Sequence, residues 1–129
     1  MNASTSQRKS VAIVGASNDR SKYGNKAVRA FVEQGYTVFP VNPHESVVEG
    51  LRAYPTVDAI PEPVSMATFY VPPDVGATVL PAVARAGIPE VWLNPGAESD
   101  ALIAQARALG LRTVVACSIT GIGSSPWRY

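Results

Sequence analysis

A glycine, two small residues and a run of polar and basic side chains follow the first apolar stretch of the chain, in "VGASNDRSKYG", Val14 to Gly24. Gly15 permits a tight backbone turn, and Ala16 and Ser17 leave room for a phosphate group to approach the main chain. Ser17 and Ser21 bring hydroxyl donors, while Arg20, Lys22 and Lys26 bring positive charge within the same span. A helix starting just beyond adds backbone amides and a favourable dipole. Together these are groups for holding a diphosphate. The pattern is neither the G-x-G-x-x-G fingerprint nor the Walker loop, and small residues after a first strand also serve plain packing.

Asn42, within "PVNPHE", bears on the kind of ligand. In NAD-binding domains an Asp or Glu at the end of the second strand grips the ribose hydroxyls. A neutral Asn keeps a ribose hydrogen bond without repelling a phosphate on that ribose. Coenzyme A, with its 3′-phosphate, and NADP, with its 2′-phosphate, both fit this position, and unmodified NAD is disfavoured. Asn42-Pro43 also reads as an ordinary turn.

Groups for catalysis are sparse. The single histidine, His44, follows the second strand and reads as a surface turn residue. There is no HExxH, no CxxC and no cluster with zinc spacing, and neither Ser17 nor Cys117 has a histidine at an interpretable spacing. Cys117 is either a thiol able to exchange with the thiol of CoA or a small core side chain. No catalytic or metal-ligating residue is assigned.

The elements that would position these groups alternate along the chain. "VAIV" (Val11 to Val14) is a continuous apolar run, as in a strand buried on both faces. A helix is expected from about Asn25 to Gln34, then a strand over Thr37 to Val41 whose Pro40 is awkward in a central ladder. The Pro-rich segment from Asn42 to Pro63 is irregular, with one helical turn near Val57 to Ile60. Met66 to Val71 is the third strand, and a helix from about Asp74 to Ala86 carries Pro81, which calls for a kink or a late start. Glu90 to Asn94, a helix over Ser99 to Leu109, and Arg112 to Ala116 complete the series. Such alternation predicts an α/β fold, a Rossmann-like doubly wound parallel sheet of five strands in the order 3-2-1-4-5. Ligands bind such sheets beyond the carboxyl ends of the strands. Four loops should converge there: Gly15 to Ser17, Asn42-Pro43, Val71 to Pro73 and Asn94 to Gly96.

Composition narrows the classes. The 129 residues suit one domain over 10–129 after a mobile leader over 1–9, with 47% apolar and 16% charged residues. A net charge of +1 gives no general attraction to nucleic acid or an anionic membrane. One cysteine, a polar start and no membrane-length apolar run point to a cytoplasmic protein. Trp127 and Tyr129 are surfaces for the domain body or for a neighbouring subunit.

The ordered set "VGAS" (Val14 to Ser17), "GYTVFPVNP" (Gly35 to Pro43), "LRAYPTVDAIPEPV" (Leu51 to Val64), "VPP" (Val71 to Pro73), "VWLNPGAES" (Val91 to Ser99) and Cys117 resembles the small stand-alone CoA-binding proteins. These are related to the nucleotide-binding domain of succinyl-CoA synthetase α subunits and ADP-forming acyl-CoA synthetases. The resemblance implies that Gly15, Ala16 and Ser17 cradle the CoA diphosphate. Val41, Asn42 and Pro43 would line the adenosine side, with Tyr54 as a wall, and Val71, Pro72 and Pro73 would border the nucleotide. Asn94 and Gly96 would lie towards the diphosphate or the pantetheine arm, and Arg20 and Lys22 would meet the 3′-phosphate. The chain departs from many relatives at Val71, where they carry Arg, and at Asn94, where they carry Gln. A missing guanidinium weakens charge-assisted phosphate binding by about 1.5–3 kcal/mol if relatives use it so. The resemblance implies a non-catalytic binder of CoA or an acyl-CoA, acting as carrier, sensor or partner of a separate acyl-CoA enzyme, and a homo-oligomer is compatible with it. An NADP-binding oxidoreductase-like domain and a ligand-free interaction module are the alternatives.

Overall fold

The computed structural model describes residues 9–129. The expected leader lies outside them except for Lys9, whose carbonyl accepts the Thr37 amide at 2.9 Å. The elements are β1 (Ser10–Val14), α1 (Tyr23–Glu33), β2 (Thr37–Val41), β3 (Val47–Val48), β4 (Leu51–Arg52), β5 (Met66–Phe69), α2 (Pro73–Arg85), β6 (Glu90–Leu93), α3 (Asp100–Ala108), β7 (Arg112–Val115) and α4 (Ser118–Gly121). Short 3-10 turns occupy Val57–Ala59 and Pro126–Arg128.

Side chains alternate across the sheet, so its apolar strands supply two cores. Val11 and Ile13 of β1 pack with Ala27, Val28 and Phe31 of α1 and with Ile119 of α4. Ala12 and Val14 pack on the other face with Leu80 and Val83 of α2 and with Leu102 and Ala106 of α3. Helices thus cover both faces of a five-stranded parallel sheet, as the alternation predicts.

The strand order differs from the expectation. The sheet runs β2-β1-β5-β6-β7, which is 2-1-3-4-5 in the count of the five expected strands, not 3-2-1-4-5. Pro40 supplies the reason. The Pro40 carbonyl points to the outer edge of β2, where it accepts the Tyr54 amide at 2.9 Å. Its nitrogen faces the same edge and has no proton to give, so no full strand can pair there. A bridge from Val41 to Tyr54 closes that edge, and β5 pairs instead with the free side of β1. The strand order reverses its progression between β1 and β5, the switch point of this sheet.

The segment from Asn42 to Pro63 is more ordered than its prolines suggest. β3 and β4 form a two-residue hairpin through Glu49 (φ 49°) and Gly50 (φ 78°), both in the left-handed region that such turns require. The helical turn expected at Val57 is present. Pro81 neither delays α2 nor ends it, because α2 runs from Pro73 to Arg85. The Ala77 carbonyl, which Pro81 cannot serve, accepts Gln105 Nε2 of α3 at 2.9 Å. A partner from the adjacent helix replaces the lost intrahelical bond.

At the carboxyl end of β1 the backbone of α1 lies directly on the loop. A Cβ at Gly24 would overlap the Gly15 carbonyl oxygen, which is main chain and cannot swing aside. Gly24→Ala should therefore destabilise the fold by about 3 kcal/mol. Gly35→Ala, at φ 87° in open space, should cost only about 1–2 kcal/mol of left-handed strain. Urea denaturation of the two variants tests this ranking.

Candidate functional site

Past the carboxyl ends of the strands lies a cavity of about 690 Å³, a size that accommodates a cofactor-sized molecule. Of the expected residues, Gly15, Ala16, Ser17 and Lys22 line it from the β1 side, Asn42 from β2, Val71 and Pro72 from β5, and Asn94 and Gly96 from β6. Arg20, Val41, Pro43, Tyr54 and Pro73 do not line it. Pro95 of the expected Asn94 to Gly96 loop and Cys117, one of whose two readings faced the ligand, line it too, and Tyr23, Gly24, Tyr70, Ala97 and Pro126 line it without having been expected there. Two of these carried a signal in the sequence. Gly24 sits where a helix must begin close to the loop, and Tyr70 continues the face of Thr68 in a strand otherwise apolar.

The β1 loop is held by main-chain contacts. Gly15, at φ 92°, donates its amide to the Val41 carbonyl at 3.1 Å. A Cβ there would lie 2.7 Å from the Tyr70 carbonyl oxygen and 2.9 Å from Val71 Cγ1. α1 begins at the cavity wall with Tyr23 and Gly24, which brings the positive end of its dipole to the site.

The next residues form a turn on themselves. Ser17 Oγ accepts the Asp19 amide at 3.0 Å. The Ser21 hydroxyl donates to Asp19 Oδ1 at 2.6 Å, and with the Ser21 amide it holds the Asp19 carboxyl below its usual range. Arg20 Nε pairs with Glu49 at 3.5 Å on the exposed surface, and the Arg20 carbonyl accepts Arg29 at 3.0 Å. Of the three basic residues in the sequence motif, only Lys22 lines the cavity. Lys26 instead lies 5.2 Å from the Tyr23 ring.

Three asparagines act as struts between loops. Asn42 Nδ2 donates to the Ala16 carbonyl at 2.8 Å while Oδ1 accepts the His44 amide at 2.7 Å. His44 itself is exposed in that turn. Buried Asn25 donates to the Ser17 carbonyl and to Glu49, and accepts Arg29 Nε at 2.7 Å. Buried Asn94 donates to Thr68 Oγ1 and the Phe69 carbonyl, and accepts the Ser118 amide. These amides serve neighbouring main chain, as buried loop backbone requires.

Val41 is buried in the core beneath the cavity. Tyr54 packs against the same core with its ring 6.0 Å from Phe39. Pro43 is exposed, and Pro73 is the first residue of α2. Cys117 is half-buried on the cavity wall. The Tyr70 hydroxyl meets Ser118 Oγ at 2.8 Å, and burial pushes its phenol well above the usual tyrosine range despite that hydrogen bond. Among the described residues there is no group of three or more His, Cys, Asp or Glu able to hold a metal ion, and no helix is long and apolar enough to cross a membrane.

Comparison with known proteins places this fold and loop set. A family model described as a CoA binding domain matches residues 9–121. The α subunit of an ADP-forming acetate–CoA ligase II from Pyrococcus furiosus is 43% identical over 63 residues, covering 48% of this chain and 14% of the ligase subunit. This chain thus spans a small part of that relative. A conserved hypothetical protein of Pyrococcus furiosus superposes with a TM-score of 0.80 at 34% identity, covering 88% of this chain and 98% of its own. A dinucleotide-forming acetyl-coenzyme A synthetase of Ca. Korarchaeum cryptofilum superposes with a TM-score of 0.74 at 30% identity, covering 84% of this chain and 25% of its own. With its whole sheet and every cavity-lining loop but the one at Pro126 inside the matched span, the chain belongs to the CoA-binding domain family.

Proposed function

We propose that this protein binds coenzyme A or an acyl-CoA in the cavity at the carboxyl ends of the strands, without itself catalysing a reaction. The observation that carries this reading is the β1 loop. Gly15 has no room for a side chain, Ala16 and Ser17 share the cavity wall, and α1 starts beside them. A diphosphate can approach such main chain closely and meet amides and a helix N-terminus. Lys22, on the same wall, is the cation suited to a ribose phosphate, whereas Arg20 is engaged with Glu49. Asn42 would line the ribose side chiefly by fixing the Ala16 carbonyl, and Asn94 with Gly96 would shape the far wall for the pantetheine arm. Val71 and Pro72 would border the ligand, with Val41, Pro43, Tyr54 and Pro73 supporting these loops from behind.

The cellular role proposed is that of carrier, sensor or partner of a separate acyl-CoA enzyme. Two likenesses support it: one to a stand-alone chain nearly all of which is covered, another to a quarter of a synthetase. A cytoplasmic setting belongs to the same proposal.

Thermal unfolding with CoA, dephospho-CoA, NADP and NAD tests the reading. CoA at about 100 times its dissociation constant should stabilise the fold by roughly 2.7 kcal/mol. Stabilisation by NADP and not by CoA would reject the proposal. Lys22→Ala should weaken CoA by roughly 10- to 100-fold and dephospho-CoA by less, as expected for one charge-assisted phosphate contact. Arg20→Ala should leave both nearly unchanged; calorimetric titration reads the difference.

A further inference from the structure

A chain of hydrogen bonds runs from two main-chain groups to the cavity, and its direction can be worked out. The Ser118 amide can only donate, and it meets Asn94 Oδ1 at 2.8 Å. The Phe69 carbonyl can only accept, and it meets Asn94 Nδ2 at 2.8 Å. These two groups fix which end of the Asn94 amide is oxygen. The second Nδ2 proton must then go to Thr68 Oγ1, 2.7 Å away. Thr68 is wholly buried. Its own hydroxyl proton has Ser118 Oγ, at 2.8 Å, as its acceptor among the described residues. Ser118, 1% exposed, must therefore pass its own proton outward, and Tyr70 Oη lies 2.8 Å away to receive it. The opposite direction would leave the Thr68 proton only the nearby Tyr70 oxygen, a weaker contact than the 2.8 Å bond to Ser118, at the cost of a poorly made hydrogen bond in a buried site.

Tyr70 accepts from Ser118 and retains a proton with no protein acceptor assigned to it, while lining the cavity. We infer that the Tyr70 hydroxyl is a hydrogen-bond donor with imposed direction, selecting an acceptor atom on the ligand, and that Thr68, Ser118 and Asn94 are its positioning residues. Burial keeps the phenol protonated and so able to donate. The sheet order says which part of the ligand it faces, an assignment that rests on the CoA reading above. Along the site edge the loops come in the order of Asn42, Gly15, Tyr70, Asn94 and Cys117. With the diphosphate over Gly15 to Ser17 and the adenosine on the Asn42 side, the pantetheine arm passes Tyr70. The Tyr70 hydroxyl reaches Ser118, which also meets Thr68 of β5 and Asn94 at the end of β6, on the opposite side of β1 from Asn42. Its target is then an acceptor on the arm, of the amide-carbonyl class.

Calorimetric titration of wild type and Tyr70→Phe with CoA and with adenosine 3′,5′-bisphosphate, which lacks the arm, tests this. Tyr70→Phe should weaken CoA by roughly tenfold and leave the bisphosphate unchanged. Unchanged CoA affinity in the variant, or equal loss for both ligands, overturns the assignment. Neutron diffraction from deuterated wild-type crystals gives a readout that needs no ligand and no variant. A deuteron on Ser118 Oγ directed at Tyr70 Oη supports the imposed direction, and a Tyr70 deuteron directed at Ser118 Oγ overturns it. Failure of wild type to bind CoA would reject the proposed function, while the deuteron positions would still decide the polarity of Tyr70.

Discussion

Around Gly15, main chain meets main chain from three directions. The β1 loop touches the end of β5 at Tyr70 and Val71, the start of α1 at Gly24 and the end of β2 through the Val41 carbonyl. No Cβ fits at Gly15 or Gly24 without displacing backbone atoms. That closeness brings the ends of β2, β1 and β5 to one wall of the cavity. It also demands many hydrogen bonds over a short distance, because main chain withdrawn from water must find partners. The remaining design of the site follows from meeting that demand.

Asparagines meet much of it. A carboxamide offers both a donor and an acceptor at one end of a short side chain, so it can join two loops without charge. Asn42 joins the β2 turn to the β1 loop, Asn25 joins α1 to that loop and to the β3–β4 hairpin, and Asn94 joins β5, β6 and α4. Read as isolated residues, Asn42 and Asn94 look like groups aimed at a ligand. In the fold both carboxamides are taken up by backbone and hydroxyl groups of the neighbouring loops, which they hold in place. The same logic removes Arg20 and Ser21 from the site, since Glu49 and Asp19 engage them.

Much of the architecture was legible because period and punctuation agree. Apolar runs of strand length, helices ending at glycines and short connections define a parallel sheet covered on both faces. The strand order was also present in the sequence, carried by Pro40. A proline that is awkward in a central ladder argues for an edge strand, and the order 3-2-1-4-5 would have placed β2 in the interior. The β3–β4 hairpin escaped notice because its strands are two residues each, too short to show alternation. Pro81 misled in the other direction, since its cost is met by Gln105, 24 positions later in the chain and on another helix.

The sequence by itself determined what the loop at Gly15 is made of and which loops gather around it. Those follow from local chemistry: glycine where the backbone must turn, apolar strands that bury both faces, and connections that force every strand to point the same way. Tertiary structure alone decided which of the gathered residues reach the cavity. Lys22 lies on its wall and Arg20, two positions earlier, does not; the Arg20 guanidinium lies instead beside Glu49 of the distant β3–β4 hairpin. The direction of the Tyr70 proton likewise depends on Asn94 and Ser118, residues 24 and 48 positions away. Hydrogen bonds between residues so far apart along the chain leave no local pattern, and they exist only once the sheet has brought those residues together.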